Sequence, residues 1–327
     1  MVDLSSMSRR RVLTGAAAGL AGVAAGWTPA WAKAPMANTP APAFYRFKLG
    51  AFELTAISDG PLQMGPPQAN VFTDTSKEDM AKVLTDNFLP ADVSMEQNAL
   101  AVNTGGQLVL IDTGLGAFKL MGDATGRLTA NLKAAGIDPA DVDAILLTHA
   151  HADHCFGIIG ADGSRAFPNA QVYMTQADYD FWTDEGKLSH PQIGQFVAAT
   201  RKHLTPNRDR IVFIKDGQEV ITGIQAIASP GHTVGHVAFM VTSQGHSILN
   251  IGDVVHHHII SVETPRRQFS YDTDGKLGVE TRLRLFDMLA TRRIPFIAYH
   301  FPWPGIGHVG RHGDAYRYFP SPTRTVL

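Results

Sequence analysis

The segment THAHADHCFG, residues 148–157, carries His149, His151, Asp153 and His154 within six consecutive positions. Imidazole nitrogens and carboxylate oxygens are common ligands of zinc and similar divalent ions. In an extended turn, alternate side chains project to the same side, so His149 and His151 are spaced to hold one ion. The aspartate and the third histidine then project toward a neighbouring position. The segment therefore predicts a metal centre in which two ions share bridging groups.

Three further side chains of metal-binding type stand alone, each just past an apolar stretch that predicts a strand. They are His232 after IQAIASPG, Asp253 after SILNIG and His300 after FIAY. The first histidine of the HAHADH segment likewise follows an apolar stretch, AILLT. Loops that follow strands gather at one edge of a sheet, where α/β folds place their chemistry. We therefore expect these side chains to converge on the same centre.

The elements that must position these residues alternate between strand and helix patterns. Alternating apolar residues predict strands at FYRFKLG and AFELTAISDG, a hairpin at ALAVNT and QLVLIDTG, and a last strand at PFIAYH. Further strands are predicted at AQVYMT, RIVFI, GIQAIAS, HVAFMVT and HSILNIGD. Helical spacing predicts helices at TSKEDMAKVLTDNFL, at TGRLTANLKAAGI and near 176–184, 191–203 and 278–290. This mixture predicts two mixed sheets covered by helices.

The motifs HAHADH, SPGHTVGH, IGDVVHH and AYHFPWPGIGH together resemble the metallo-β-lactamase superfamily, over about residues 44–327. The segments AFELTAISDG, LVLIDTG, GRLTANLKAAGI and FPWPGIGH are most similar to those of methyl parathion hydrolase and its relatives. The resemblance implies an αββα sandwich of the metallo-β-lactamase type, formed by one catalytic domain over residues 44–327. The loop LGAFKLMGDAT and the segment GDVVHHH depart from the parathion enzymes, which puts an organophosphate substrate in question.

The resemblance also implies a ligand set for two divalent metal ions, with zinc expected. Asp253 would bridge the two ions, and Asp153 would also accept or pass on a proton during catalysis. Manganese, cobalt and iron suit the same donor atoms, so the sequence does not choose among these metals. The remaining ligands would be His149, His151 and His232 for the first ion, and Asp153, His154 and His300 for the second.

The expected function is that of an exported hydrolase that attacks neutral esters, lactones or phosphotriesters with a hydroxide bridging the two metals. A β-lactam or acyl-homoserine-lactone hydrolase is an alternative within the same fold. An iron-dependent oxygen enzyme of the same fold is a further alternative. Its persulfide-oxidising type uses one metal, and the complete second set Asp153, His154 and His300 speaks against that type. A periplasmic metal-binding protein without turnover is the alternative from outside the enzymes.

Several other residues are candidates for roles around the metals. Trp182 and Phe196 lie where the parathion-type relatives have an aromatic substrate wall, although aromatic residues at helical spacing also serve as core. Phe118, in the departing loop, is a third candidate for the substrate pocket. Asp112 is expected either to hold the ligand turn in place or to cap a loop. His236 is expected to be a hydrogen-bonding histidine close to the ligands.

The first 32 residues resemble a twin-arginine export signal. SRRRVLTG supplies Arg9 and Arg10, AAAGLAGVAAG supplies a short apolar stretch, and AWA predicts cleavage after Ala32. The apolar stretch is too short and too rich in glycine and alanine to predict a stable membrane anchor. Residues 33–43 then read as a linker rich in proline and alanine. The mature protein is therefore expected in the periplasm or outside the cell.

Composition limits the partners. The 327 residues are 44% hydrophobic and 18% charged, which suits a globular protein with a sizeable core. A net charge of −2 gives no reason to expect a nucleic acid as partner, and a small-molecule substrate is expected instead. A single cysteine, Cys155, rules out an internal disulfide. The oligomeric state is open, although the resemblance suggests a homodimer.

Overall fold

The computed structural model describes residues 36–37, 40–68, 71–73, 75–118 and 122–324. The predicted export signal over residues 1–32 lies outside the described residues, as do parts of the predicted linker. The chain divides into Met1–Ala41 and Pro42–Leu327, and every element below belongs to the second unit.

The first sheet has seven strands and carries the hairpins predicted near the start of the chain. Its first four strands pair antiparallel, and its last three add in parallel. In sheet order, the strands are β1 (Phe44–Leu49), β2 (Phe52–Ser58), β5 (Asn98–Asn103), β6 (Leu108–Ile111), β7 (Ala144–Leu146), β8 (Gln171–Thr175) and β9 (Ile211–Ile214).

The second sheet also has seven strands, and its neighbours pair antiparallel except at one parallel pair, β13 with β14. In sheet order, its strands are β10 (Glu219–Ile221), β11 (Ile224–Ala228), β12 (Val237–Ser243), β13 (His246–Gly252), β14 (Phe296–Ala298), β15 (Ile306–His312) and β16 (Ala315–Pro320). A small separate sheet pairs β3 (Leu62–Gly65) with β4 (Val93–Met95). The prediction that PFIAYH is the last strand was wrong, because β15 and β16 follow it as an antiparallel ribbon. Glycines and charged residues interrupt that ribbon and hide its apolar alternation.

Five helices lie close to their predicted positions, and two short helices, Ala152–Cys155 and Ile260–Glu263, were not predicted. Ser76 caps the first helix by accepting the Asp79 N–H at 3.0 Å, and Asp274 caps the last helix in the same way. The α-helices are α1 (Lys77–Asp86), α2 (Leu128–Ala134), α3 (Ala152–Cys155), α4 (Gln176–Thr183), α5 (Gly194–Leu204), α6 (Ile260–Glu263) and α7 (Gly275–Arg292). Short 3-10 turns lie at Pro139–Asp141, Phe156–Ile158, Glu185–Lys187 and Thr205–Arg210.

Apolar side chains are buried in three layers. Between the sheets, side chains such as Leu100 and Val109 from the first sheet form one cluster with Phe239 from the second. Helices α2 and α5 cover the outer face of the first sheet, and α7 covers the outer face of the second with Leu285 and Phe286. Each sheet thus buries both faces, and the predicted αββα sandwich is confirmed.

Within the described residues, we find no helix whose length and apolar character suit a membrane crossing.

Candidate metal centre

Each predicted metal-binding segment begins where a strand ends. His149 follows β7, His232 follows β11, and His300 follows β14. Asp253 follows β13 directly, after Gly252, which adopts a positive φ of 54°. A side chain at this glycine would lie 2.7 Å from Nε2 of a neighbouring histidine, so the turn requires glycine. Strand ends therefore bring residues from distant parts of the chain to one place.

The first predicted ligand group comes together in the fold. Ligand atoms of His149, His151 and His232 lie within 4.8 Å of one another. His151 Nδ1 and His232 Nε2 are 2.9 Å apart, and their rings meet edge to face. His149 and His232 are only 1% and 3% exposed, so these two ligands are buried.

The second predicted group lies beside the first. Asp153 Oδ2 is 3.4 Å from the Nε2 atoms of both His154 and His300. Asp253 stands between the groups, with its Oδ2 at 3.4 Å from His232 Nε2 and at 3.0 Å from His300 Nε2. The same oxygen is 3.3 Å from His154 Nε2 and 3.9 Å from His149 Nε2. The structure thus brings all seven predicted ligands together, with Asp253 at their junction.

The donor atoms suit divalent ions. Within the part of the chain that the structure describes, four buried atoms of this cluster have no hydrogen-bond partner. Leaving a buried polar atom without a partner costs about 1–3 kcal/mol of stability, so several such atoms in one place indicate a site for a bound group. A divalent cation would provide the partner that all of them lack. The atoms are His149 Nε2, Asp153 Oδ2, His154 Nε2 and Asp253 Oδ1.

Comparison with known proteins decides the family. Residues 95–323 match the family description "Metallo-beta-lactamase superfamily". The chain belongs to the metallo-β-lactamase superfamily. The superfamily and fold class expected from the motifs are therefore confirmed. None of the relatives reported next is described as a methyl parathion hydrolase, so that finer resemblance stays a prediction.

Two solved structures of this superfamily fold are similar over most of the chain. A hydrolase called AbOPH, described as in the β-lactamase superfamily, is 34% identical with a TM-score of 0.80, covering 88% of this chain and 100% of that one. AidC, described as a dizinc quorum-quenching lactonase in complex with an N-acyl homoserine product, is 26% identical with a TM-score of 0.82. That match covers 86% of this chain and 99% of AidC.

A curated relative gives a shorter match. An N-acyl homoserine lactonase of Bacillus sp is 27% identical over 118 residues, or 36% of this chain. The match spans 40% of that lactonase. It supports the superfamily relationship over the matched residues.

Several histidines of the metallo-β-lactamase centre are oriented by their Nδ1 atoms. His154 Nδ1 donates to Asp112 Oδ2 at 2.8 Å, and His300 Nδ1 donates to the main-chain carbonyl of Glu96 at 2.9 Å. His232 Nδ1 donates to Asp272 Oδ1 at 2.9 Å. In each case the hydrogen bond fixes the ring and directs Nε2 to the centre, as histidine ligands of metals require.

The two residues predicted to support the ligands lie in contact with them. Asp112 also accepts the Thr148 N–H and hydroxyl, both at 2.8 Å, and so holds the start of the HAHADH segment. His236 accepts the Asp253 N–H through Nε2 at 3.0 Å, and its Nδ1 donates to the Ser229 hydroxyl at 2.9 Å. His236 therefore contacts the main chain of Asp253 rather than a metal position.

The predicted pocket aromatics lie in different surroundings. Trp182 is 4% exposed and meets the His151 ring edge to face, with 4.9 Å between ring centroids. Phe118 is partly buried and packs edge to face on Phe156 at 5.3 Å. Phe196 is 49% exposed on the outer side of α5. The structure brings Trp182 next to the first ligand group, and it leaves the role of the other two as a prediction.

Sequence reasoning missed other residues around the centre. Asp272 was not considered, because no motif links it to His232, which lies 40 positions earlier. His256 lies outside the predicted ligand set. Its Nε2 lies 3.5 Å from Asp253 Oδ2, and its ring stacks on Phe269 at 3.7 Å. Its position three residues after Asp253 was the available signal.

The two ligand groups differ in electrostatics. Burial lowers the pKa of His149 and His151 well below the usual histidine value, so both rings are neutral. Burial also opposes protonation of His154, but the carboxylates of Asp253 and Asp153 outweigh it and raise the His154 pKa well above its usual value. His300 shows the same balance, with its pKa raised by Asp253 against burial. In the second group, a metal ion would replace protons.

Proposed function

We propose that this protein is a dinuclear metal-dependent hydrolase of neutral esters, with N-acyl homoserine lactones as the first substrates to test. The observation that carries the proposal is the convergence of two ligand groups on the carboxylate of Asp253. Its Oδ2 lies within 4 Å of two histidines from each group. The likeness to AidC, which is described as a dizinc lactonase, supports both the metal count and the substrate class.

The ligand residues divide between the two ions in this proposal. When bound, two divalent ions polarise a carbonyl oxygen and lower the pKa of bound water toward neutrality, so hydroxide is available at working pH. Zinc suits the mixture of imidazole and carboxylate donors. The first ion would be held by His149, His151 and His232, the second by Asp153, His154 and His300, and both by Asp253.

Asp153 is the residue that we expect to exchange a proton with the substrate. Its side chain is 14% exposed, against 3% for Asp253, so its carboxylate borders the open side of the centre. The Tyr299 hydroxyl donates to the Asp153 main-chain carbonyl at 2.5 Å and holds this residue in place. A fixed but accessible carboxylate is suited to pass a proton to the leaving oxygen.

The charges around the centre favour neutral substrates. Across the described residues, Asp153 and Asp253 form their ion pairs with histidines, and no lysine or arginine is paired with either carboxylate. Phosphomonoesters and nucleic acids are commonly bound with the help of such side-chain cations. The aromatic rings of Trp182 and Phe269 border the histidines instead, which suits an uncharged ester with an acyl or aryl group.

The test is turnover by zinc-loaded protein with its metal content measured in the same preparation. We expect about two zinc ions per chain and opening of N-hexanoyl homoserine lactone, with an aryl ester, a β-lactam and a phosphotriester compared at equal concentrations. Asp209→Ala, a change at an exposed aspartate, is the matched control for substitutions at the centre. Two bound ions without turnover of any of these substrates would favour the metal-binding protein instead.

We also propose export by the twin-arginine route and a periplasmic or extracellular location, supported by Arg9, Arg10 and the small residues around Ala32. Replacing both arginines by lysine should leave unprocessed precursor in the cytoplasm. Normal export of that variant would contradict the proposal.

A homodimer remains the proposed assembly, on the resemblance alone. Light scattering of the purified protein measures it directly, and a monomer at micromolar concentration would exclude it.

A further inference from the structure

Helix α4 carries a buried carboxylate that the proposed chemistry does not use. Asp178 is 1% exposed and lies in the first turn of the helix, after Thr175. Its Oδ2 accepts the Ala150 N–H at 2.6 Å, and its Oδ1 accepts the Gly235 N–H at 3.0 Å. Both oxygens are therefore bonded to main-chain groups, and the two groups belong to different loops.

These two loops carry the whole first ligand group. Ala150 lies between His149 and His151, and Gly235 follows His232 by three residues. The loops are separated by about eighty positions in the chain, so local conformation cannot set the distance between them. One carboxylate with an oxygen on each loop sets it directly, through charge-assisted hydrogen bonds that are stronger than neutral ones.

The fit around Asp178 shows that the contact is built closely. A side chain at Gly235 would lie 2.2 Å from Thr175 Oγ1 and 2.5 Å from the Asp178 nitrogen, so the loop reaches the helix only because it has glycine there. The Thr175 hydroxyl donates to the Gly235 carbonyl at 2.6 Å. The helix start therefore holds this loop by both its N–H and its carbonyl.

We propose that Asp178 is the positioning residue of the first metal group. It sets the spacing between His232 and the pair His149 and His151, and the affinity of that group for its ion depends on it. In the second group, Asp112 fixes the His154 ring instead. The inference rests on the proposed function, because it requires that the histidines bind metal.

The test separates the two ions before changing Asp178. His300→Ala leaves the first group intact, and His151→Ala leaves the second. Asp178→Asn is then introduced into each background, and zinc affinity is measured by competition with a chromogenic chelator. Asparagine keeps the size but offers one acceptor oxygen, so one N–H loses its partner. We expect zinc to bind about 10- to 100-fold more weakly in the His300→Ala background, and unchanged in the His151→Ala background.

Two further variants make the result specific. Asp180→Asn, on the exposed side of the same helix, should leave zinc affinity unchanged in both backgrounds. Thr175→Val removes the milder contact with Gly235 and should weaken the first group in the same direction by a smaller factor, which keeps the test decisive if Asp178→Asn fails to fold.

Equal weakening in both backgrounds, or no weakening in the His300→Ala background, would overturn the inference while leaving the proposed function intact. Failure of the unchanged protein to bind two zinc ions would overturn the proposed function and this inference together.

Discussion

The two ligand groups of this metallo-β-lactamase centre share one aspartate but are built differently. The first group is three histidines whose loops are tied together through their main chains by Asp178. The second group includes Asp153, and its histidines are fixed through their own rings by Asp112 and by the Glu96 carbonyl. The first group thus depends on the spacing of two loops in addition to the Asp272 contact that orients His232, whereas the second depends on the orientation of its side chains. Each group should therefore fail for a different reason.

The groups also differ in charge. In the first group, burial lowers the pKa of His149 and His151, so both of these rings are neutral. The second group places two carboxylates, Asp153 and Asp253, around His154 and His300. A cation is therefore favoured more strongly in the second group, but it must compete there with protons.

The largest effect is expected from removing Asp253, the carboxylate that the two groups share. Asp253→Ala deletes the carboxylate between them and leaves two cations facing each other without that anion. We expect loss of at least one metal and a fall in turnover of at least about a hundredfold. Elemental analysis and lactone hydrolysis measure both, with Asp209→Ala as control. If metal content and activity both survive, another residue joins the two groups.

A smaller effect should separate the groups. In Asp112→Asn, an NH2 group replaces one of the two carboxylate oxygens. Either the His154 Nδ1–H or the Thr148 N–H therefore loses its acceptor. We expect zinc affinity to fall about 10- to 100-fold in the second group, and by a smaller factor in the first, which Asp112 reaches only through Thr148. Chelator competition in the His151→Ala and His300→Ala backgrounds measures each group by itself. Together with Asp178→Asn, this variant tests whether each support acts mainly on its own group, and an equal loss in both groups would contradict the comparison.

The smallest effect comes from pH. The raised pKa of His154 and His300 means that both rings still hold protons above pH 6.5 in the metal-free protein, and a metal must displace them. The affinity of the second group should therefore fall between pH 8 and pH 6, by at most about tenfold per pH unit for each displaced proton. His149 and His151 have lowered pKa values and stay unprotonated over this range, so zinc affinity should fall less steeply in the first group than in the second.

Zinc affinity at pH 8, 7 and 6 in the same two backgrounds measures this difference. Earlier loss of zinc from the first group would contradict the electrostatic part of the comparison.

The sequence by itself predicted the architecture, which is confirmed, and the convergence of the seven candidate ligand residues. Apolar alternation and turn residues such as Gly50 and Gly136 act over a few neighbouring positions, so strands and helices could be predicted locally. The ligands follow strand ends, and strand ends meet at one edge of a sheet, so their convergence could be predicted without coordinates. The ribbon β15–β16 escaped prediction because its apolar alternation is interrupted.

The tertiary structure alone decided how the ligands are held. Asp178 bonds Ala150, which lies 28 positions earlier, and Gly235, which lies 57 positions later. Asp272 bonds His232 across 40 positions. No local pattern encodes such contacts, because they arise only when loops from separate strands pack against one another. The same holds for Trp182, whose helical spacing fits either a core or a pocket residue, and whose contact with His151 follows from the packing of α4.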